Sequence, residues 1–269
     1  RRVPTADDKV NPETVRGWAW GVYDSPYFVR DSEMSYAVTD SPIPIGPWRS
    51  VFSPPSVFAR ECFVDELAQA MGRDPIAMRY ELLGGDEIYT VGGERINRTR
   101  MRNVLEVVAQ KSGWKAGAQT RRGVAANVFH TETYIAYVVD VELRPDAPSD
   151  RLPFLVRRVV CALDCGVVVN PLGVAQQVES GLLWSLSNMK SEITAKEGEI
   201  QQSWYSDFPV AMIDETPPSI EVHLVASSDE RPHGIGEPVV CPFAPAVANA
   251  LSRVIGKRLR ELPIRKSAL

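Results

Sequence analysis

Residues that cross-link small secreted domains or hold metal ions are scarce in this sequence. Four cysteines and three histidines are spread over 269 residues, and their spacing fits neither a disulfide framework nor a zinc or iron–sulfur motif. Cys161 and Cys165 are close in sequence but have no second pair beside them. We therefore expect reduced, buried thiols and no metal ion bound directly by side chains of this chain.

Long apolar runs and concentrated charge of one sign are missing as well. The longest apolar stretches, such as AVANAL and GLLW, are far shorter than the roughly 20 residues that cross a bilayer. No apolar segment follows the paired arginines at the start, so no signal peptide is predicted, and the compartment, cytoplasmic or periplasmic, stays open. A net charge of -4 with both signs mixed along the chain argues against nucleic acid and anionic membranes and favours a small molecule or a protein as partner.

The order of the secondary-structure patterns predicts an α+β fold. The chain has no internal repeat and no low-complexity tract, and helical and strand patterns alternate irregularly. A polar, glycine-bearing join near residues 115–122 divides it into two lobes, an N-terminal lobe of residues 1–118 and a C-terminal lobe of residues 119–269. Helices are predicted over residues 53–72, 75–83, 99–111, 170–188 and 244–255, strands over 123–143, 154–169 and 218–227, short strands within 17–50, and a hairpin turn at 196–198.

The stretch HGIGEPVV, residues 233–240 and called the acid turn below, places one carboxylate among glycines and a proline. Gly234 and Gly236 can adopt backbone angles closed to other residues and leave room for a bulky neighbour beside the main chain. Pro238 restricts Glu237 to an extended conformation, so the turn is expected to be stiff and to aim one carboxyl group. An ordinary surface turn with a solvated glutamate is the alternative.

Further polar residues stand in apolar or turn-forming surroundings. Glu237 precedes a predicted helix, whose free N–H groups favour bound anions and an ionised carboxylate. Gln177 lies in a largely apolar helix, where it is either a binding residue or a half-exposed polar residue. Arg49, in GPWRS, is either an anion or carbonyl clamp or a surface arginine. Asp164, in LDCG, is typical of a turn residue that caps the local backbone.

The order of several motifs resembles a known family. GIGEP is followed by APAVANAL and GKRLRELP, and upstream come GPWRSV, FARECFVDELAQAMGRDPIAMR, LDCGVVVNPLGVAQQVESG, EITAKEGEIQQ and SDFPV. Together they resemble the large subunit of the xanthine oxidase and aldehyde oxidoreductase family, the molybdenum hydroxylases, and in detail the isoquinoline 1-oxidoreductase β-subunit branch. The resemblance begins near residue 17, covers nearly the whole chain and implies the fold of the molybdenum-cofactor-binding domain of these enzymes.

This resemblance implies a cofactor and roles for five residues. The acid of the GEP turn is the catalytic base in the family, so Glu237 would remove a proton from a molybdenum-bound hydroxyl while an aldehyde or nitrogen heterocycle is oxidised. Gln177 falls on the glutamine that contacts the pterin, and Arg49 falls on an arginine beside the cofactor pocket. Gly234 and Gly236 would let the cofactor come close. The implied cofactor is a molybdenum-pterin, with the cytosine dinucleotide form as one candidate.

Two departures from the family pattern affect these expectations. In RSVFSPPS, Phe52 and Pro55 stand in a loop where the family usually has a glycine and a glutamine, which puts the substrate funnel in doubt. The family's large subunit is usually more than twice as long, and its first half holds much of the pterin. The resemblance therefore implies a partner chain with the other half, an iron–sulfur subunit that carries the clusters, and a chain that is inactive in isolation.

Two other functions remain open from the residues. A non-catalytic structural or interaction subunit would retain the fold without the chemistry; the RSVFSPPS loop favours it, and the intact GIGEP and AQQVESG stretches oppose it. A hydrolase acting alone through Glu237 is weakly supported, because the sequence offers no second carboxylate or nucleophile in a comparable setting.

Overall fold

A computed structural model describes residues 25–31, 43–91, 94–117 and 121–269, together with residues 33, 37 and 41. The short strands predicted within residues 17–50 lie partly outside this range. Where the structure does describe residues 25–50, the chain forms bends and turns without a helix or a strand.

Five helices form where the sequence predicts them in the described ranges. Their bounds are α1 Ser53–Ala70, α2 Pro75–Leu83, α3 Arg98–Ser112, α4 Pro171–Lys190 and α5 Phe243–Ile255. Side chains cap several starts, since the Asp74 carboxylate accepts the N–H groups of Ile76 and Ala77 at 2.9 and 3.0 Å. Asn170 likewise accepts the Gly173 N–H at 3.1 Å. The last helix begins one residue earlier than predicted, at Phe243.

The strands form one main sheet and two short hairpins. They are β1 Ile88–Val91, β2 Glu94–Asn97, β3 Arg122–Phe129, β4 Thr133–Leu143, β5 Phe154–Asp164, β6 Ala195–Lys196, β7 Glu199–Ile200 and β8 Ile220–Leu224. The main sheet has the order β3-β4-β5-β8, with β3, β4 and β5 antiparallel and β8 parallel to β5. The hairpin predicted at 196–198 is confirmed, and Glu197 and Gly198 take the positive φ angles of its turn, 53° and 86°.

Alternate residues of the main sheet face two separate apolar cores. On β4, Ile135, Tyr137 and Val139 point toward α4 and α5, and the intervening residues point toward α1, α2 and α3. Both faces are therefore covered, which explains why β3 to β5 read as nearly continuous apolar runs rather than alternating ones. The mixed arrangement of helices and sheet confirms the predicted α+β class.

The division into lobes at residue 118 stays a prediction. Residues 118–120 lie outside the described range, and α3 on one side of them packs against β4 and β5 on the other through Met101, Val104, Leu105 and Val108. In the described part of the chain, no helix is both long and apolar enough to cross a membrane.

Candidate active site

Arg49 joins three segments that are far apart in sequence. Its Nε donates to the carbonyl oxygen of Gly236, its Nη1 donates to Ser180 Oγ at 3.0 Å, and its Nη2 donates to Gln177 Oε1 at 3.0 Å. Burial lowers the pKa of the Arg49 guanidinium, while Tyr137 and Glu237 act in the opposite direction. Three residues predicted separately, Arg49, Gln177 and Gly236, are thus directly hydrogen-bonded.

Ser50 holds Glu237 from the same loop. The Ser50 N–H donates to Glu237 Oε1 at 3.1 Å, and Ser50 Oγ donates to the main-chain oxygen of Glu237 at 2.6 Å. Ser50 and Val51 both adopt left-handed backbone angles, with φ of 76° and 49°, a conformation that non-glycine residues adopt at a cost and that is concentrated at functional sites. The N–H group that the Glu237 carboxylate accepts therefore comes from this loop and not from the start of α5. Residues 238–242 separate Glu237 from that helix.

The carboxylate of Glu237 has one held oxygen and one open oxygen. Glu237 is exposed, and among the described residues its Oε2 has no hydrogen-bond partner. An oriented carboxylate with an accessible second oxygen is the arrangement that a general base requires.

One face of α4 carries the residues that the 48–50 loop contacts. Gln177, Ser180 and Trp184 are three and four residues apart and therefore lie along one side of the helix. The rings of Trp48 and Trp184 are 5.1 Å apart at an interplanar angle of 41°, which adds an aromatic contact to the two hydrogen bonds from Arg49.

A glycine in α4 brings the acid turn close to Gln177. A Cβ at Gly181 would lie 2.3 Å from Val239 Cγ2, closer than any real contact, so the absence of a side chain lets residue 239 pack on the helix. The Tyr137 hydroxyl, on β4, donates to the Val239 carbonyl at 3.0 Å. The end of the acid turn is thus fixed between α4 and the sheet.

The two glycines of the acid turn leave room beside the main chain but do not adopt left-handed backbone angles. Neither Gly234 nor Gly236 has φ in the left-handed range, so that part of the prediction was wrong. A Cβ at Gly234 would meet no described atom within 4 Å, and one at Gly236 would meet Gln177 Oε1 at 3.9 Å. The main chain is therefore open beside Gly234 and faces Gln177 beside Gly236.

Asp164 belongs to a different cluster. Burial raises the pKa of its carboxyl, but hydrogen bonds from Arg100 at 2.7 and 2.8 Å and from the Gly166 N–H at 3.0 Å outweigh burial and lower the pKa below its ordinary value. Its predicted capping role is confirmed by the Gly166 contact, and the ion pair with Arg100 is additional.

The unusual RSVFSPPS loop leaves the contacts of the acid turn in place. Pro54 and Pro55 lie in the first turn of α1, where backbone N–H groups have no partner within the helix, so the donor missing at Pro55 is not needed by α1. Trp48, Val51 and Pro55 also line an apolar groove of about 540 Å³ together with Phe58 and Val240.

Sequence reasoning missed Ser50 and Ser180. Serine is common on surfaces and in loops, and neither residue stands in a distinctive motif. The one available signal was position. Ser50 directly follows Arg49, and Ser180 lies three residues after Gln177 on a helix.

Comparisons with known proteins relate this sequence to a cofactor-binding domain. Residues 85–217 match the family described as molybdopterin cofactor-binding domain. The chain is 29% identical over 244 residues to a nicotinate dehydrogenase subunit of Pseudomonas putida, a match that covers 83% of this chain and 19% of that protein. It is 31% identical over 211 residues to the β-subunit of isoquinoline 1-oxidoreductase from Brevundimonas diminuta, covering 77% of this chain and 25% of that protein.

A solved structure shares the fold. Aldehyde oxidoreductase from Desulfovibrio desulfuricans superposes with a TM-score of 0.62 at 15% identity, over 82% of this chain and 41% of that one. At this identity the likeness concerns the fold alone. The chain spans about a fifth to a quarter of the length of the curated relatives described above.

Proposed function

We propose that this chain belongs to the xanthine oxidase and aldehyde oxidoreductase family of molybdenum hydroxylases and forms one side of a molybdopterin site. Residues 85–217 match the molybdopterin cofactor-binding domain, and the chain is similar in sequence to the β-subunit of isoquinoline 1-oxidoreductase. In this site Glu237 acts as the general base for oxidation of an aldehyde or a nitrogen heterocycle with oxygen from water. The contact that carries the proposal is the hydrogen-bonded group of Arg49, Ser50, Gln177 and Glu237, which joins three distant segments around one oriented carboxylate.

The residues present fit such a cofactor. Gln177 Oε1 accepts a hydrogen bond from Arg49. In the described part of the chain the amide Nε2 of Gln177 has no protein partner, so it can donate to an acceptor on a pterin. The open main chain at Gly234 and Gly236 provides room for a large planar group beside Glu237. Gln177 would hold the cofactor, and Arg49 would keep the amide in the donating orientation.

The protein's own part in the reaction is to orient and to accept a proton. When bound, the molybdenum-pterin cofactor accepts the two electrons of the oxidation. Glu237 would receive the proton of the water-derived nucleophile at Oε2, since Oε1 is held by the Ser50 N–H. The Ser50 hydroxyl fixes the main chain of the same residue, which limits the positions that the carboxylate can take.

The names of the relatives support a nitrogen heterocycle and a multi-subunit enzyme. Nicotinate and isoquinoline are heterocycles that contain nitrogen, and both relatives are designated as subunits. We propose that residues outside this chain complete the pocket and that an iron–sulfur subunit removes the electrons.

Isotope labelling tests the proposed reaction. The complex purified from its source is incubated with nitrogen heterocycles and aldehydes, a dye as electron acceptor, and water enriched in ¹⁸O. By mass spectrometry we expect one ¹⁸O atom per hydroxylated heterocycle and at least one per acid formed from an aldehyde, whose carbonyl oxygen also exchanges with water. No label is expected when ¹⁸O₂ replaces labelled water. Label from O₂, or turnover that needs no electron acceptor, would exclude a molybdenum hydroxylase.

A further inference from the structure

Residues 231–233, shortly before Glu237, are hydrogen-bonded to the residues that follow β5. The Val167 N–H donates to the Arg231 carbonyl at 3.0 Å, and the His233 N–H donates to the Cys165 carbonyl at 2.9 Å. Gly166, with φ of 72°, lies between them, and a Cβ there would lie 1.8 Å from the Arg231 oxygen. This close pairing requires glycine and fixes the main chain up to residue 233.

The side chain of His233 lies between two carboxylates. Its imidazole is only 6% exposed, its Nε2 is 2.8 Å from Asp229 Oδ2, and its Nδ1 is 3.6 Å from Glu132 Oε2. Arg231 and then His233 lower the pKa of the Asp229 carboxyl below its ordinary value, so Asp229 is an anion at neutral pH. The ring therefore contacts Asp229 within the connection between β8 and α5 and lies close to Glu132 in the connection between β3 and β4.

The neighbouring groups strengthen the same attachment. Arg100 lies 3.6 Å from Asp229 and donates to the main-chain oxygen of Glu132 at 2.9 Å. Thr133, next to Glu132, donates its hydroxyl to the Gly234 carbonyl at 2.9 Å. The start of the acid turn is thus held by the side chain of Thr133, the first residue of β4, and its end by Ser50 and Tyr137 as described above.

We propose that His233 is a positioning residue, which fixes the acid turn by bridging Asp229 and Glu132 and thereby sets the direction of the Glu237 carboxylate. This inference rests on the proposed role of Glu237 as a base. His233 acts through the backbone, because residues 234–236 lie between it and Glu237. A general base loses efficiency when its position shifts by a fraction of an ångström.

The test compares His233→Leu and His233→Gln in the purified complex, with His223→Leu on β8 as the matched control. For His233→Leu we expect turnover per bound molybdenum to fall by about 10- to 100-fold with KM within about twofold of wild type, because a misdirected base affects the transition state more than substrate binding. His233→Gln, which can still donate to Asp229, should recover part of the loss. The control should match wild type.

Hydrogen exchange measured by mass spectrometry on the same complexes gives a readout independent of turnover. His233→Leu should speed exchange in peptides that cover residues 231–240 and leave those from α3 and β4 unchanged. Wild-type exchange in 231–240, or wild-type turnover per molybdenum despite faster exchange, would overturn the positioning role. Faster exchange together with an active Glu237→Gln enzyme would instead refute the proposed base.

Should His233→Leu give no soluble complex, Asp229→Asn tests the same bridge from the other side. This variant keeps the size of the side chain and removes the anion that faces Nε2. Faster exchange in 231–240 with lower turnover per molybdenum supports the bridge, and wild-type behaviour in both measurements overturns it.

Discussion

Glu237→Gln is expected to lower turnover per bound molybdenum by about 10²- to 10⁴-fold, the usual contribution of a general base. Glutamine has the size of glutamate, and its Oε1 can still accept the Ser50 N–H, while the main-chain contact with Ser50 Oγ is unaffected. An amide nitrogen at the second position cannot accept a proton. Molybdenum content, measured by mass spectrometry of the metal, should equal that of wild type.

The matched control for this variant is Glu230→Gln, which removes the same charge from an exposed residue shortly before the acid turn. The control should keep full turnover. Loss of molybdenum together with activity in Glu237→Gln would make Glu237 a structural residue, and turnover near that of wild type would remove it from the reaction.

Arg79→Met is expected to lower the free energy of unfolding by about 3–5 kcal/mol, because it removes the fully buried partner of the Glu61 carboxylate. The longer contact with Arg60, whose Nε is 3.4 Å from Glu61 Oε1, remains. Arg79 and Glu61 are fully buried, with Arg79 Nη2 2.9 Å and Nε 3.0 Å from Glu61 Oε2. Burial lowers the pKa of Arg79, but the Glu61 carboxylate outweighs burial and raises it above the ordinary value. The pair joins α1 and α2 to β3, since Arg79 also donates to the Val124 carbonyl.

Urea-induced unfolding followed by tryptophan fluorescence measures this effect. The control is Arg73→Met, because Arg73 pairs with Glu81 at a similar distance, 3.0 Å, but both side chains are about half exposed. An exposed pair contributes about 0–1 kcal/mol, so the control should unfold near the wild-type midpoint. Equal midpoints for the two variants would show that the buried pair does not stabilise the fold. The α1 helix begins directly after the 49–52 loop, so loosening it should also disturb the contacts of Arg49.

The helices were predictable because their signals are local. The strand predicted over 123–143 is instead two strands with a turn at 130–132, and the one predicted over 154–169 ends at Asp164. Asp74 with Pro75 and Asn170 with Pro171 mark helix starts through contacts within three residues. The β-branched runs of β3 to β5 similarly indicate buried strands. The start of α5 was missed by one residue because Pro242, with a helical backbone, takes the N-cap position without a capping side chain.

The candidate site could be predicted only where a motif marks a residue. Glu237, Gln177 and Arg49 were identified separately, but their contacts span 128 to 187 positions in sequence, and no local pattern specifies such distances. Ser50 was missed because its role depends on a left-handed backbone angle that serine seldom adopts. His233 stands alone among the histidines in sequence. Asp229 lies only four residues before it, and the fold is needed to bring Glu132 near its ring.

Native mass spectrometry combined with molybdenum quantification, on protein purified from its source, tests the proposed site most directly. We predict a complex that contains this chain, further chains and about one molybdenum atom per copy, as expected if Gln177 and the open main chain of the acid turn hold a pterin cofactor. A stable, folded complex or chain from the same source that contains no molybdenum would contradict the proposed function.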